Sequence, residues 1–166
     1  VTSTYNRSAV LRRAIESVRA QRGFADWEMC IVGDCTPDDS AAVVASFGDP
    51  RLRFYNLPAK SPPRAHGAIA KNHGVFQMAR AAYIAYLDDD DEYHPDFLRV
   101  MMGAAAKHPE QPAFYCRCQY RDKATGYVVY DEAMLDTMNI ATMLCALDGV
   151  LPVTARLKPR MESLGL

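Results

Sequence analysis

The sequence lacks the features that mark several common classes of protein. No apolar run approaches the roughly 20 residues that a membrane-spanning helix needs, so no span is predicted. The 19 basic and 20 acidic residues leave a net charge of −1, which argues against a nucleic-acid surface built on bulk positive charge. The motifs GxGxxG, GxxxxGKS/T and GxSxG are all missing. A dinucleotide-binding enzyme, a P-loop NTPase and a serine hydrolase are therefore disfavoured.

The cysteines form no recognisable metal or disulfide pattern. There are five of them: Cys30, Cys35, Cys116, Cys118 and Cys145. Their number is odd and no CxxC pair occurs, so zinc and a disulfide framework are both disfavoured and a reducing compartment is favoured. We expect the cysteines to serve as small buried hydrophobic side chains. The four histidines show no ligand spacing such as HExxH, and no role is assigned to them.

What the sequence does contain is an alternation of strand and helix patterns. Strands are predicted over 1–4, 28–32, 51–57 and 83–87, and helices over 8–21, 39–47, 66–81 and 96–107. This alternation predicts an α/β fold with a mostly parallel central sheet flanked by helices. Later elements are a hairpin-like pair over 114–120 and 127–131, a helix over 137–146, a strand over 150–154 and a helix over 156–164.

The predicted fourth strand ends in four consecutive aspartates, at positions 88–91. In an extended chain Asp88 and Asp90 point to the same side. Two carboxylates so close stay ionised only beside a cation, and Mg²⁺ or Mn²⁺ prefers such ligands. The plainer alternative is a solvated acidic loop in which one aspartate caps the helix that begins near Pro95. The position favours the metal, because ligands of open α/β sheets bind at the carboxyl ends of strands.

Two other strand ends are also polar, at residues 3–6 and at Gly33–Asp34. If the strands are parallel neighbours, all three ends meet at one edge of the sheet. Such an edge suits a nucleoside diphosphate, with Asp34 accepting from a base N–H or a ribose hydroxyl and Tyr5 packing on the base. Cations of the loop 60–66 and Lys71 would lie near the diphosphate. The alternatives are a turn role for Asp34, a half-buried Tyr5 and ordinary surface cations.

Six stretches match a known family in order and spacing: TSTYNR at 2–7, WE at 27–28, IVGD at 31–34, DPR at 49–51, AKNHG at 70–74 and YIAYLDDDD at 83–91. Together they resemble the family 2 glycosyltransferases of the GT-A fold. The resemblance implies a single Rossmann-like GT-A domain over 1–166, apparently truncated at its C-terminus. Within it, residues 1–110 would be the nucleotide-sugar-binding half and 111–166 the incomplete start of the acceptor-side half.

The resemblance also implies a set of site residues. The nucleotide-sugar-binding residues would be Ser3, Tyr5, Asp34, Arg64, Lys71, Asp88, Asp89 and Asp90. The family's DxD motif falls on the last three: Asp88 and Asp90 would bind Mn²⁺ or Mg²⁺, and Asp89 would lie near the ribose. Two positions depart from the family pattern. Gly33 stands where an aspartate is usual, and Lys71 where arginine is commoner, which replaces a forked contact with a point charge.

The implied activity is transfer of a sugar from a nucleotide-diphospho-sugar, with a UDP-sugar favoured, to a hydroxyl of a saccharide or lipid-linked acceptor. Inversion at the anomeric carbon and a location in the cytoplasm, or at the cytoplasmic face of a membrane, are also implied. The catalytic base is expected beyond Leu166, so we expect this chain alone to show little transfer. The alternatives are a nucleotidyltransferase, which would need a glycine-rich phosphate loop near its first strand, and a non-catalytic nucleotide- or carbohydrate-binding module.

Overall fold

A computed structural model describes residues 1–63, 65, 67–114 and 116, together with the backbone of two short strands at 120–121 and 128–129. The chain divides into two compact units, Val1–Lys107 and His108–Leu166. The first unit contains the parallel sheet and its helices. Among the described residues, no helix has the length and apolar character needed to cross a membrane.

The centre of the first unit is a parallel sheet of three strands in the order β1-β2-β3. They are β1 (Thr2–Thr4), β2 (Met29–Gly33) and β3 (Leu52–Asn56). The register places Ile31 of β2 opposite both Thr2 and Phe54. All five residues of β2 are buried, as expected for the middle strand of a parallel sheet covered on both faces. The prediction of a parallel sheet is confirmed.

The helices are α1 (Ser8–Arg19), α2 (Ser40–Ala45), α3 (Ala68–His73) and α4 (Phe97–Lys107). The helix α1 forms because its apolar residues recur at intervals of three and four, which gives one continuous apolar face. Leu11, Ala14, Ile15 and Val18 on that face are buried in the core with Met29, Ile31, Val44, Leu52 and Leu87.

The single helix predicted over 66–81 is wrong in extent. After α3 the chain makes one π-helical turn, Gly74–Met78, and then becomes extended at Ala79. The helix ends because two side chains, Arg53 of β3 and Glu28 immediately before β2, bind the backbone of this segment. Arg53 binds the carbonyl oxygen of Met78, and the Glu28 carboxylate accepts from the backbone nitrogens of residues 80 and 81 at 2.6 and 3.2 Å. These contacts take backbone groups that a longer helix would need.

The segment 83–87 is not a strand, which corrects the prediction of a buried fourth strand. It nevertheless lies beside the start of β1: the Val1 nitrogen donates to the Ala85 oxygen at 2.6 Å, and the Leu87 nitrogen donates to the Val1 oxygen at 3.2 Å. These two bonds are one rung of a parallel ladder. Leu87 is buried, but Tyr83 is 56% exposed. The segment therefore places the aspartates at the predicted edge of the sheet, although it forms only these two hydrogen bonds with β1 and the residue before it.

In the second unit the structure describes one antiparallel pair, β4 (Tyr120–Arg121) and β5 (Val128–Val129). This pair lies within the predicted hairpin-like region. The elements predicted over 137–146, 150–154 and 156–164 lie outside the described residues. The prediction of buried cysteines holds for Cys30 but is wrong for Cys116, which is exposed, while Cys35 is partly buried.

Candidate functional site

A cleft of about 390 Å³ lies at the edge of the sheet where β1 and β2 end. Its lining comprises Ser3, Thr4, Tyr5, Arg7, Asp34, Lys60, Gly67, Lys71, Asp88, Asp89 and Asp90. Seven of the eight residues predicted to bind a nucleotide sugar are therefore found together; the eighth, Arg64, lies outside the described residues. They converge because β1 and β2 are parallel neighbours, which places the residues that follow them side by side.

The acidic end of the cleft is a turn rather than the extended segment we predicted. The Asp91 nitrogen donates to the Asp88 oxygen at 3.1 Å, and the carboxylates are paired with cations of the chain. Lys71 Nζ lies 2.6 Å from Asp88 Oδ1. The guanidinium of Arg7 reaches Asp89 at 3.2 Å and Asp90 at 2.9 Å. Two lining cations therefore neutralise part of the acidic cluster.

Charge and burial distinguish the four aspartates. Asp89 is buried, whereas Asp88 and Asp90 are about half exposed. The charge and hydrogen bond of Asp89, followed by the charge of Asp90, raise the pKa of Arg7 above its usual value. The pKa of Asp91 is also raised, by partial exclusion of water first and then by the like charges of Asp88 and Asp90. The mutual repulsion of these carboxylates favours the binding of a further cation.

Arg7 is held in place by the loop between β1 and α1. The preceding residue, Asn6, has a left-handed backbone (φ 53°), and its nitrogen donates to Thr36 Oγ1 at 2.8 Å. The Asp38 carboxylate accepts from the nitrogens of Ser8 and Ser40, at 2.9 and 3.2 Å. One aspartate thus accepts from the first residue of α1 and from the first residue of α2.

The other end of the cleft is built around Asp34. Its Oδ1 accepts from the Ser61 nitrogen at 2.9 Å and from Ser61 Oγ at 2.6 Å. Its Oδ2 lies 2.9 Å from Lys60 Nζ, and the same ammonium lies 2.9 Å from the centroid of the Tyr5 ring. Burial alone would raise the pKa of Asp34, but the bonds from Ser61 and Lys60 outweigh it and hold that pKa below its usual range. The carboxylate is bound across the cleft, not folded back on its own turn.

Sequence reasoning did not assign Arg7 or Ser61 to the site, and it placed Lys60 only among the loop cations expected near the diphosphate. Arg7 stands two residues after Tyr5 in a polar strand end, so its proximity to the edge of the sheet was a usable signal. The contacts of Lys60 and Ser61 with Asp34 join positions 26 and 27 residues apart through an irregular loop. No periodicity or spacing encodes such a contact.

The carboxylates fit a metal that the ligand helps to hold. Within the described part of the chain, no group of three or more His, Cys, Asp or Glu side chains is arranged around a metal position. Asp88 and Asp90, however, each engage the cations described above through one oxygen only. Mg²⁺ is usually bound by one or two carboxylates together with substrate phosphates. A two-carboxylate site completed by a diphosphate therefore suits these residues.

Comparison with known proteins decides the family. The sequence model of glycosyl transferase family 2 matches residues 1–153. The chain belongs to this family. Membership confirms the predicted family.

Curated relatives of the chain include other members with biosynthetic names. The succinoglycan biosynthesis protein ExoO of Rhizobium meliloti (strain 1021) is 40% identical over 63% of this chain and 28% of its own length. The putative colanic acid biosynthesis glycosyl transferase WcaA of Escherichia coli (strain K12) is 35% identical over 60% of the chain and 34% of its own length. The chain thus spans about a third or less of the length of these relatives.

Solved structures support the same fold. The structure of S. aureus TarS 1–349 matches with a TM-score of 0.59 and 21% identity, over 65% of this chain and 32% of TarS. A second TarS structure, solved in complex with UDP, matches with a TM-score of 0.56 and 20% identity, over 66% of this chain and 32% of TarS. Together with the parallel sheet and its flanking helices, this likeness confirms the predicted α/β fold of the GT-A type.

Proposed function

We propose that the cleft binds a nucleotide-diphospho-sugar, with a UDP-sugar favoured, and that residues 1–110 form the donor-binding half of the enzyme. The observation that carries the proposal is the meeting of Asp34 and Tyr5 with the aspartates 88–90 in one cleft at the carboxyl ends of β1 and β2. One end of this cleft suits a base and the other end a charged diphosphate. Family membership and the UDP complex of TarS support the choice of ligand.

The base and ribose are assigned to the end at Asp34. An ionised carboxylate accepts hydrogen bonds only, so Asp34 selects a ring N–H of the base. Tyr5, which is 44% exposed, offers an aromatic face on which a base stacks. Ser3 of β1 and the buried Asp89 also line the cleft, and they offer polar partners for the ribose hydroxyls.

The diphosphate is assigned to the acidic turn and its cations. Mn²⁺ or Mg²⁺ held by Asp88 and Asp90 would neutralise charge on the departing diphosphate as a Lewis acid. Among the described residues, Lys71 and Arg7 are the cations paired with Asp88, Asp89 and Asp90, and both can turn from the carboxylates toward phosphate oxygens. As a point charge, Lys71 assists without the fixed geometry that an arginine would impose. The predicted Arg64 contact remains part of this proposal.

The complete enzyme is proposed to transfer the sugar to a hydroxyl of a saccharide or lipid-linked acceptor with inversion at the anomeric carbon. An in-line attack of this kind needs a general base beside the acceptor hydroxyl. In this proposal residues 1–110 perform the donor-binding part of that reaction. The biosynthetic names of ExoO and WcaA support a polysaccharide product.

Binding of UDP to the chain tests the proposal. We expect UDP with Mn²⁺ to raise the melting temperature, because a ligand that binds only the folded state stabilises it, and to do so more than GDP or dTDP. In calorimetry, Asp34→Ala should weaken UDP binding about ten-fold or more, because it removes a charged hydrogen-bond acceptor. Asp26→Ala, at an exposed carboxylate outside the cleft, is the control. Unchanged affinity in Asp34→Ala, or no UDP binding by the wild-type chain, would contradict the assignment.

A further inference from the structure

Lys60 lies where a nucleotide base would have to be. Its ammonium is 2.9 Å from the centroid of the Tyr5 ring and 2.9 Å from Asp34 Oδ2. These are the aromatic face and the carboxylate to which the base was assigned above. Ser61, the next residue, takes the other oxygen of Asp34 with both its backbone nitrogen and its hydroxyl. The segment Lys60–Ser61 therefore contacts both oxygens of Asp34 and the face of Tyr5.

A base and the Lys60 ammonium cannot occupy this position together. A ring that stacks on Tyr5 needs its atoms about 3.5–4.0 Å from that ring, and a base N–H needs Asp34 Oδ2 at about 2.9 Å. The ammonium already lies within both distances. A cation over an aromatic face and beside a carboxylate is itself stabilised by both contacts, even at a partly exposed site.

We propose that Lys60 closes the base subsite of the unliganded protein and must leave Asp34 and Tyr5 before a base can enter. The inference rests on the proposed function, because it takes these two residues as the base subsite. The apparent affinity for a nucleotide is then the intrinsic affinity multiplied by the fraction of molecules in which Lys60 has left. Lys60 thus lowers the affinity of the protein for its donor.

The surroundings of Lys60 permit this movement. Its side chain is 46% exposed, so the ammonium exchanges Asp34 for water without being trapped in the core. The loop that carries it contains Pro58, Pro62 and Pro63, which stiffen the backbone on both sides. Movement of the lysine side chain alone, without refolding of the loop, is therefore sufficient to open the subsite.

The test compares Lys60→Met with the wild-type chain. Methionine keeps an unbranched apolar side chain and removes the charge, so the contacts with Asp34 and the Tyr5 face are lost. We expect this variant to bind UDP on the order of five-fold more tightly in calorimetry. The affinity for uridine should rise by the same factor, because Lys60 competes with the base and not with the phosphates. Lys60→Arg keeps the cation and should remain near the wild type. Lys107→Met, at the exposed end of α4, is the matched control.

The outcomes separate this proposal from the proposed function. Tighter binding of both UDP and uridine to Lys60→Met, with the control unchanged, supports the closing role. If Lys60→Met binds UDP as the wild type does, or more weakly, while Asp34→Ala still loses binding, the base subsite stands and the closing role is wrong. Weaker binding of UDP with unchanged uridine would assign Lys60 to the phosphates instead. If neither the wild type nor Lys60→Met binds UDP, the proposed function fails and this inference fails with it.

Discussion

At the scale of single residues, Gly33 explains a departure from the family pattern. A Cβ atom at this position would lie 2.5 Å from Asn56 Oδ1, 2.9 Å from Thr36 Cγ2 and 3.1 Å from Phe54 Cζ. The space is filled by the Asn56 side chain, which accepts from the Thr36 nitrogen at 2.9 Å and donates to the Thr36 oxygen at 3.0 Å. Asn56 therefore fixes the turn beyond Asp34, and only glycine at position 33 leaves room for it.

Replacement of Gly33 by alanine should destabilise the protein by about 1–3 kcal/mol, because a methyl group enters a filled space beside a hydrogen-bonded side chain. The control is the same change at Gly103 in α4, where nothing lies within 4 Å of the added atom. Gly103→Ala should stabilise the protein by about 0.5–1 kcal/mol, since alanine loses less entropy in a helix. Denaturant unfolding of both variants measures whether each change lowers or raises the free energy of unfolding. Equal effects at the two positions would contradict the steric argument.

The convergence of Asp34 and the aspartates 88–90 was predicted from the rule that parallel strands bring their carboxyl ends to one edge. The aspartates reach that edge although the segment 83–87 before them is not a strand and is hydrogen-bonded to Val1, just before β1. The pairing of these acids with Arg7 and Lys60 could not be predicted. Arg7 and Lys60 reach the acids from loops whose backbone is set by contacts such as Asn6 with Thr36. Only the folded structure brings those loops together, so the sequence pattern identifies the acids and Lys71 but not the ion pairs that Arg7 and Lys60 form with the acids.

At the scale of elements, the turn between α2 and β3 is joined to neighbouring elements through Asp49. Its carboxylate receives two hydrogen bonds from the Arg51 guanidinium, at 2.8 and 3.0 Å, and a third from the Arg51 backbone nitrogen at 3.1 Å. It also lies 3.6 Å from Arg19 at the end of α1. The Arg51 guanidinium also lies 3.7 Å from the centroid of the Trp27 ring before β2. The hydrogen bonds from Arg51 lower the pKa of Asp49 to about 2.

This pKa predicts a defined pH dependence. The pKa of Asp49 is about 2 in the folded state and about 3.9 in the unfolded state. Its contribution to stability is therefore present above about pH 4 and is lost as the pH falls toward 2. After discounting for the 39% exposure of Arg51, we expect Asp49→Asn to cost about 1 kcal/mol at pH 7.

Thermal unfolding of Asp49→Asn and the wild type between pH 7 and pH 2.5 checks this expectation. The difference in stability between the two proteins should narrow below pH 4. Asp26→Asn, at an exposed carboxylate, should show no comparable difference at either pH. A difference that is the same at pH 7 and pH 2.5 would mean that the charge of Asp49 is not the cause.

The elements themselves were predictable to different degrees. The helix α1 and the strands β2 and β3 lie within two residues of the predicted bounds, because their apolar periodicity is strong and reflects direct burial. The helix predicted over 66–81 is longer than the observed α3, and the segment 83–87, predicted as a strand, is not one. Glu28 and Arg53 end the first by capturing backbone groups, and the second pairs only at Val1. Both corrections come from long-range contacts that periodicity does not contain.

At the scale of the whole molecule, the cleft carries nearly balanced charge within a chain of net charge −1. Its described lining has four carboxylates, Asp34 and the aspartates 88–90, and three cations, Arg7, Lys60 and Lys71. The carboxylates and cations are already paired with one another. A diphosphate brings further negative charge, so its binding must either release the cations from the carboxylates or add a cation from solution. These two routes make different predictions for metal removal.

The route through an added cation predicts that UDP binding depends on Mn²⁺. Replacement of Mn²⁺ by EDTA should weaken UDP binding to the wild type about ten-fold or more, whereas uridine binding should not change, because uridine has no phosphates. Asp90→Asn should bind UDP with the same reduced affinity in Mn²⁺ and in EDTA, since it loses an ionised ligand of the metal. In the control variant Asp26→Asn, UDP binding should depend on Mn²⁺ as strongly as it does in the wild type. Equal UDP affinities of the wild type in Mn²⁺ and in EDTA, measured by calorimetry, would contradict the route through an added cation. Arg7 and Lys71 would then neutralise the diphosphate themselves, and the carboxylates of the acidic turn would hold these two cations in position before the ligand binds.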